Sequence, residues 1–220
     1  MGAFAGKVIV VTGASEGIGR ALCKALAPQR PRLVLAARNV TLLDSLAADC
    51  AALGAETLVV GTDVTRLDSC SALVEAAVAR FGAIDVLVNN AGGSMWTRFD
   101  EIEDLTLFER LMQLNYLGSV YPTWFALPHL KRTRGRIVAV SSMAGLIGVP
   151  TRTAYSAAKH AVTGFFDALR VELAESGVSV TLVCPDFVVS VIHKRALGAD
   201  GRPLGEKPMA GSRIMSAEEC

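Results

Sequence analysis

Short runs of consecutive apolar residues alternate along the chain with longer segments whose apolar positions recur every three or four residues. The runs, such as Val8-Ile9-Val10-Val11 and Ile137-Val138-Ala139-Val140, are rich in β-branched residues and lack every-second-residue polarity. A strand apolar on both sides belongs to a parallel sheet covered above and below. The pattern predicts strands at Lys7–Thr12, Leu33–Ala37, Thr57–Gly61, Val86–Asn89, Arg136–Ser141 and Val178–Cys184. Helices are predicted near Gly17–Ala27, Leu42–Leu53, Leu67–Phe81, Leu105–Leu130 and Ala154–Ser176. Such alternation marks βαβ units, whose crossovers share one hand. The expected fold is α/β: a three-layer, doubly wound parallel sheet in a single domain over residues 1–220.

The segment Ala154–Leu173 is apolar on two faces, with Ala157, Ala161, Phe165 and Leu169 on one stripe and Ala158, Val162 and Phe166 on another. One stripe can cover the sheet. The other asks for a partner, so a homodimer or homotetramer packed through this helix and the preceding long one is expected. Beyond Asp186 the chain turns rich in Gly and Pro, through Gly198-Ala199-Asp200-Gly201-Arg202-Pro203, and residues 187–215 are expected to form a mobile substrate loop region. Ser216-Ala217-Glu218-Glu219 matches an S-x-x-E capping box, the start of a helix; a terminal helix and a strand are expected to follow Cys220.

Half of the 220 residues are apolar and mean hydropathy is +0.41. No stretch approaches the roughly 18 apolar residues of a spanning helix, and Gly6-Lys7 interrupts the start where a secretory leader would continue. The apolar excess therefore goes to elements buried on both faces, and a soluble, cytoplasmic protein is expected. Net charge is +1 with both signs dispersed, which supplies no field for nucleic acid or an anionic membrane; Lys131-Arg132-Thr133-Arg134 is expected to be a solvated loop. The cysteines Cys23, Cys50, Cys70, Cys184 and Cys220 are odd in number and form no C-x-x-C pair, as expected of reduced thiols. His129, His160 and His193 have no ligand-like spacing, so no metal site is expected.

The first strand runs into Thr12-Gly13-Ala14-Ser15-Glu16-Gly17-Ile18-Gly19, whose glycines let the backbone approach a pyrophosphate at a helix N-terminus. Asp63-Val64 ends the third strand, Asn89-Asn90-Ala91-Gly92 the fourth and Ser141-Ser142 the fifth. Asn115 lies in the long helix, and Tyr155-Ser156-Ala157-Ala158-Lys159 opens the last one. Each block alone has a bland explanation: Asp63 could cap a turn, Asn89-Asn90 could suit a left-handed turn, Ser141-Ser142 could simply end a strand and Asn115 could be a solvated helix residue. All of them in this order, from Gly6 to about Ser190, resemble the short-chain dehydrogenase/reductase family and its Rossmann fold. The spacing G-x-x-x-G-x-G is that family's, not the G-x-x-G-x-x-G of the longer sugar-nucleotide epimerases.

The resemblance implies a nicotinamide dinucleotide site made by Gly13, Ser15, Gly17, Ile18 and Gly19 in the first turn, and by Arg38 and Asn39 after the second strand. Asp63 and Val64, then Asn89, Ala91 and Gly92, continue it, with Tyr155 and Lys159, and Pro185, Val188 and Ser190 after the sixth strand. It also implies the catalytic set Asn115, Ser142, Tyr155 and Lys159; the family's serine stands thirteen positions before its tyrosine, which selects Ser142 over Ser141. Tyr155 and Lys159 are four apart and share a helix face. A phenol titrates near ~10, and a nearby cation such as Lys159 favours its ionised form. In the family the tyrosine exchanges a proton with the substrate oxygen, and the serine hydroxyl polarises that oxygen as an oxyanion-hole donor does. The lysine also holds the nicotinamide ribose, and the asparagine orders a water that links the lysine to solvent.

NAD-specific members carry an acid at the end of the second strand against the ribose 2′-hydroxyl. This chain has Ala37 there, followed by Arg38, whose guanidinium matches a 2′-phosphate. NADP(H) is expected ahead of NAD(H), although Glu16 stands where many NADP-using relatives carry a basic or small residue. Two further departures are Asp186 in place of the glycine that usually follows Pro185, and Ser190 in place of threonine. The expected activity is hydride transfer between NADP(H) and a carbonyl or secondary alcohol; the rival, a non-enzymatic NADP(H)-binding redox sensor, would be favoured by loss of the tyrosine or lysine. Substrate choice falls to the segments Gly93–Phe99 and Gly145–Arg152 and to the loop after Phe187. Met95, Trp96, Leu146, Ile147 and Val149 suggest an apolar pocket, and the run Tyr155–Arg170 is similar to members acting on steroids, retinoids or other lipophilic carbonyls. Arg152 is either a clamp for a carboxylate or phosphate, or an ordinary surface arginine.

Overall fold

The computed structural model describes residues 2–188, 192–205 and 214–220. Six strands, β1 (Val8–Thr12), β2 (Arg32–Ala37), β3 (Glu56–Gly61), β4 (Val86–Asn89), β5 (Arg136–Val140) and β6 (Ser179–Val183), lie within a residue or so of the predicted runs. All pairs are parallel, and the spatial order is β3-β2-β1-β4-β5-β6. Strand order reverses between β1 and β4. At that switch point the connections lead away on both sides, leaving a crevice at the carboxyl ends of the strands.

The continuous apolar runs are explained by burial on two faces. In β1, Val8 and Val10 pack with one helix layer and Ile9 and Val11 with the other, and all four are buried. The first layer contains α3 (Leu67–Phe81), α5 (Gly118–Thr133) and α6 (Thr153–Glu172), which contribute Leu73, Ala77, Leu130, Val162 and Phe166. The second contains α1 (Gly17–Leu26) and α2 (Val40–Ala52), with Cys23, Leu43, Leu46 and Cys50. The three-layer expectation therefore holds. In α6 the stripe Ala158, Val162 and Phe166 is buried together with Leu169, whereas Ala157 is exposed and Ala161 and Phe165 are half-buried.

The predicted single helix over Leu105–Leu130 is three pieces: α4 (Thr106–Leu111), a π-helical stretch Met112–Leu117, and α5. In the wide turns the Gly118 N–H reaches back five residues, to the Gln113 carbonyl. Pro122 lies just beyond; it has no N–H to donate and its ring crowds the carbonyl four residues back, so regular α-helix is disfavoured there. Asn39 caps α2, its Oδ1 accepting the Leu42 N–H at 3.1 Å, which starts that helix before the predicted Leu42. Helix α6 stops at Glu172, short of the predicted Ser176.

Part of the expected 187–215 loop is pinned to the body. Leu197 donates to the Ser94 carbonyl and its own carbonyl accepts the Trp96 N–H, both at 2.9 Å, and Leu197 also bridges to Pro203. The capping box forms as predicted: the Ser216 N–H donates to Glu219 Oε2 at 2.8 Å and the Glu219 N–H to Ser216 Oγ at 3.2 Å. Among the described residues no helix is long and apolar enough to cross a membrane.

Candidate active site

Two turns meet at the switch point. Gly13, after β1, has φ +65°, and a Cβ there would lie 2.8 Å from the Ala91 Cα; a Cβ at Gly19 would lie 2.5 Å from Asn90 Nδ2 and from the Gly13 carbonyl oxygen. The side chain of Asn90 laces the turns together, donating to the carbonyls of Thr12 at 3.0 Å and Gly13 at 3.1 Å. The Thr12 hydroxyl accepts the N–H groups of Asn90 and Ala91 at 3.0 and 3.1 Å. Helix α1 starts here with no side-chain cap from Glu16, so its first amides remain available to an anion.

From this cradle a cavity of about 1060 Å³ runs along the carboxyl edge of the sheet. Its walls include Gly13, Ser15, Gly17 and Ile18, then Arg38 and Asn39, Asp63 and Val64, and Ala91 and Gly92. Ser142, Tyr155, Lys159, Pro185 and Val188 complete the far end. Three residues expected from the sequence are not on this wall. Gly19 serves the close approach of α1 to Asn90; Asn89 is buried and donates to Thr123 Oγ1 at 2.8 Å; Asn115 is fully buried in the π stretch. Asn90, the neighbour of Asn89, lines the cavity instead. Ser190 lies outside the described residues.

Both ends of the Asn115 amide are engaged. Oδ1 accepts the Gly93 N–H at 3.2 Å, and Nδ2 donates to the carbonyls of Gly93 at 3.1 Å and Leu111 at 3.0 Å. The residue thus fixes the loop after β4, and it does so across Gly92: a Cβ there would sit 2.7 Å from Asn115 Oδ1 and 3.6 Å from Lys159 Nζ. Lys159 Nζ donates to the Val140 carbonyl at 2.8 Å. Burial pulls its pKa down to about 8, with Cys184 opposing weakly.

The two serines after β5 have separate surroundings. Ser141 Oγ turns into α6, toward the Lys159 carbonyl and the Thr163 hydroxyl at 3.3 and 3.2 Å. Ser142 Oγ accepts the Ala144 N–H at 3.2 Å and lies beside the Tyr155 phenol. Burial pushes the Tyr155 pKa up, while the Ser142 hydroxyl and the Arg152 guanidinium pull it down. The sequence pointed to Lys159 as the cation beside the phenol; its Nζ and the Arg152 guanidinium carbon each stand 5.8 Å from the ring centre. Asp63 is partly buried, which alone would raise it, yet the N–H and hydroxyl of Thr65 and the nearby Arg38 hold its carboxyl below the ordinary value.

Two arginines emerge only in three dimensions. Arg152, open in the sequence between clamp and surface residue, is only 4% exposed and lines the cavity. Its position three before Tyr155 was the available signal. Arg195 forms a two-pronged ion pair with Glu16, at 2.5 and 3.2 Å, joining the loop after β6 to the first turn; a separation of 179 residues offers no sequence signal.

A family model described as short chain dehydrogenase matches residues 7–199. An 11-beta-hydroxysteroid dehydrogenase of Pinus massoniana is 39% identical over 186 residues, covering 84% of this chain and 52% of the relative; the chain spans about half the length of the curated relative it matches. The crystal structure of a short chain dehydrogenase/reductase from Burkholderia phymatum in complex with NAD superposes with a TM-score of 0.83 at 32% identity, covering 88% of this chain and 70% of that one. An alcohol dehydrogenase from Thermococcus sibiricus complexed with 5-hydroxy-NADP superposes at 0.82 with 27% identity, covering 97% and 86%.

Proposed function

The chain belongs to the short chain dehydrogenase family, and from that premise we propose that it is an oxidoreductase moving a hydride between NADP(H) and an apolar carbonyl or secondary alcohol. The observation that carries this reading is that Tyr155, Ser142 and Lys159 line the same cavity as the glycine cradle of α1. The cradle suits a pyrophosphate, because side chains at Gly13 and Gly19 would collide with the turn after β4. Arg38 supports NADP(H): it is exposed on the cavity and, among the described residues, has no ion-pair partner of its own. Glu16, which would repel a 2′-phosphate, has its charge taken up by Arg195. The relatives' names point both ways on cofactor, one solved neighbour holding NAD and another an NADP analogue.

When bound, the nicotinamide ring supplies or accepts the hydride. In the reducing direction the Tyr155 hydroxyl donates a proton to the carbonyl oxygen while the Ser142 hydroxyl hydrogen-bonds the same atom; in the oxidising direction the phenolate takes the proton back. A phenol raised by burial is well protonated at neutral pH, which suits reduction. Lys159, next to Gly92 and the end of β5, is assigned to the nicotinamide ribose. Apolar groups around Met143 and Val149 and the hydroxysteroid-dehydrogenase name of the relative support a lipophilic substrate. Ala157, exposed, and Ala161 and Phe165, half-buried, on α6, together with Trp124 on α5 at 71% exposed, support pairing with a second copy.

Following NADPH oxidation with a panel of apolar ketones tests the activity. Tyr155→Phe, which removes only the hydroxyl, is expected to lower kcat/KM by roughly 10²–10⁴-fold with NADPH binding retained. Activity within a few-fold of wild type contradicts the assigned proton transfer.

A further inference from the structure

We propose that Arg152 is a clamp for a carboxylate of the substrate, so that the site takes apolar carbonyl compounds carrying an acid group close to the reacting oxygen. This rests on the oxidoreductase reading of the cavity and names the substrate class it serves.

The guanidinium is buried without an anion. Nη1 donates to Ser94 Oγ at 2.6 Å, while Nη2 is buried and, among the described residues, has no hydrogen-bond partner. No carboxylate of the described residues stands within ion-pair distance of it. Around it lie aromatic rings, with Cζ at 4.4 Å from the centre of Trp96, 5.4 Å from Phe187 and 5.8 Å from Tyr155. Ring faces attract a cation, but they do not replace the hydrogen bonds that Nη2 lost on leaving water. Burial accordingly holds the guanidinium below the ordinary arginine range.

A buried charge lacking its partner is costly in general, and an apolar side chain of like volume would fill the space without that cost. The arrangement is accounted for if the missing anion arrives with the ligand. A carboxylate suits the vacant donor in both charge and planarity. A single negative charge also balances a single cation among apolar walls, whereas a dianion would leave an excess. Since Arg152 and Tyr155 are neighbours on the same cavity, the carboxylate and the carbonyl must lie close together in one molecule. Trp96 and Phe187, both half-buried, come from segments flanking the site and cover the guanidinium, so ligand entry requires one of these rings to shift.

The test uses the full chain carrying Trp124→Phe, so that Trp96, stacked on the guanidinium, reports binding by its fluorescence. Phenylacetate and its methyl ester are titrated in parallel, with and without NADPH. At least about tenfold tighter binding of the acid is expected, the worth of a charged hydrogen bond, and Arg152→Gln should bring the acid to the level of the ester while Arg152→Lys keeps part of the preference. Equal responses to acid and ester in the parent chain, or no response to the acid, overturn the proposal without recourse to any Arg152 variant. NADPH binding is read separately from nicotinamide fluorescence: its absence sinks the oxidoreductase reading, whereas its presence without an acid preference sinks only the clamp.

Discussion

Tyr155 and Lys159 show how burial acts in opposite directions on an acid and a base, raising the phenol and lowering the ammonium group. For Lys159 this has a stability consequence whose sign is fixed. Below about 8 the lysine is charged in both folded and unfolded chains, and the cost of burying the cation is fully present. Between that value and the ordinary lysine value near ~10.4 the folded chain sheds the proton while the unfolded chain keeps it, so stability rises with pH. The stability of wild type relative to Lys159→Met is therefore expected to improve by about 2–3 kcal/mol between pH 7 and pH 10, measured by urea unfolding at fixed ionic strength; a flat difference contradicts the buried cation. At the opposite end of the cavity, Arg38→Ala is expected to weaken NADPH by roughly ten- to a hundredfold, the worth of a charged contact to a phosphate, while NADH changes little. Equal losses would show that Arg38 does not touch the 2′-phosphate. Several of these positions were legible in the sequence by type and order, but burial was not: nothing in the string Thr151-Arg152-Thr153 says that its arginine faces inward, and only the surroundings separate the Ser141 hydroxyl from that of Ser142 or assign Asn90 to the cavity and Asn89 to the core.

Among the elements, the strands were legible because burial on two faces leaves a continuous apolar run, as in Val8 to Val11. Helix α3 matched its predicted bounds for a related reason, with its end marked by Gly82 in the left-handed region. The break of the long helix into α4, the π stretch and α5 was not legible, because apolar positions continue through Met112–Leu117 at nearly helical spacing; the prolines Pro122 and Pro128 were the only warning. That break places Asn115 where its amide can hold Gly93, so an irregular element serves the site. Contact between elements is equally exacting at α1, where Gly19 lies against Asn90. Gly19→Ala is expected to destabilise the fold by about 1–3 kcal/mol through overpacking and to weaken NADPH binding together with it, since the cradle must open to admit the methyl group. Thermal unfolding and cofactor titration of the same sample check this; unchanged values in both would mean that the two turns are not in register.

On the scale of the whole molecule, the order β3-β2-β1-β4-β5-β6 brings residues from Gly13 to Val188 to one edge of the sheet, which is why a single cavity is lined by both the glycine cradle and Tyr155. The loop after β6 closes that edge through the Glu16–Arg195 ion pair and the pairing of Leu197 with Ser94 and Trp96. These long-range closures escaped the sequence because they join segments with no shared periodicity. Everything proposed for the cavity depends on its accepting NADP(H), and the most direct measurement is titration of the purified chain with NADPH and with NADH, followed by nicotinamide fluorescence. Saturable binding of NADPH, with NADH at least about tenfold weaker in line with one charged phosphate contact, is the predicted result. Tighter binding of NADH, or binding of neither, would contradict it.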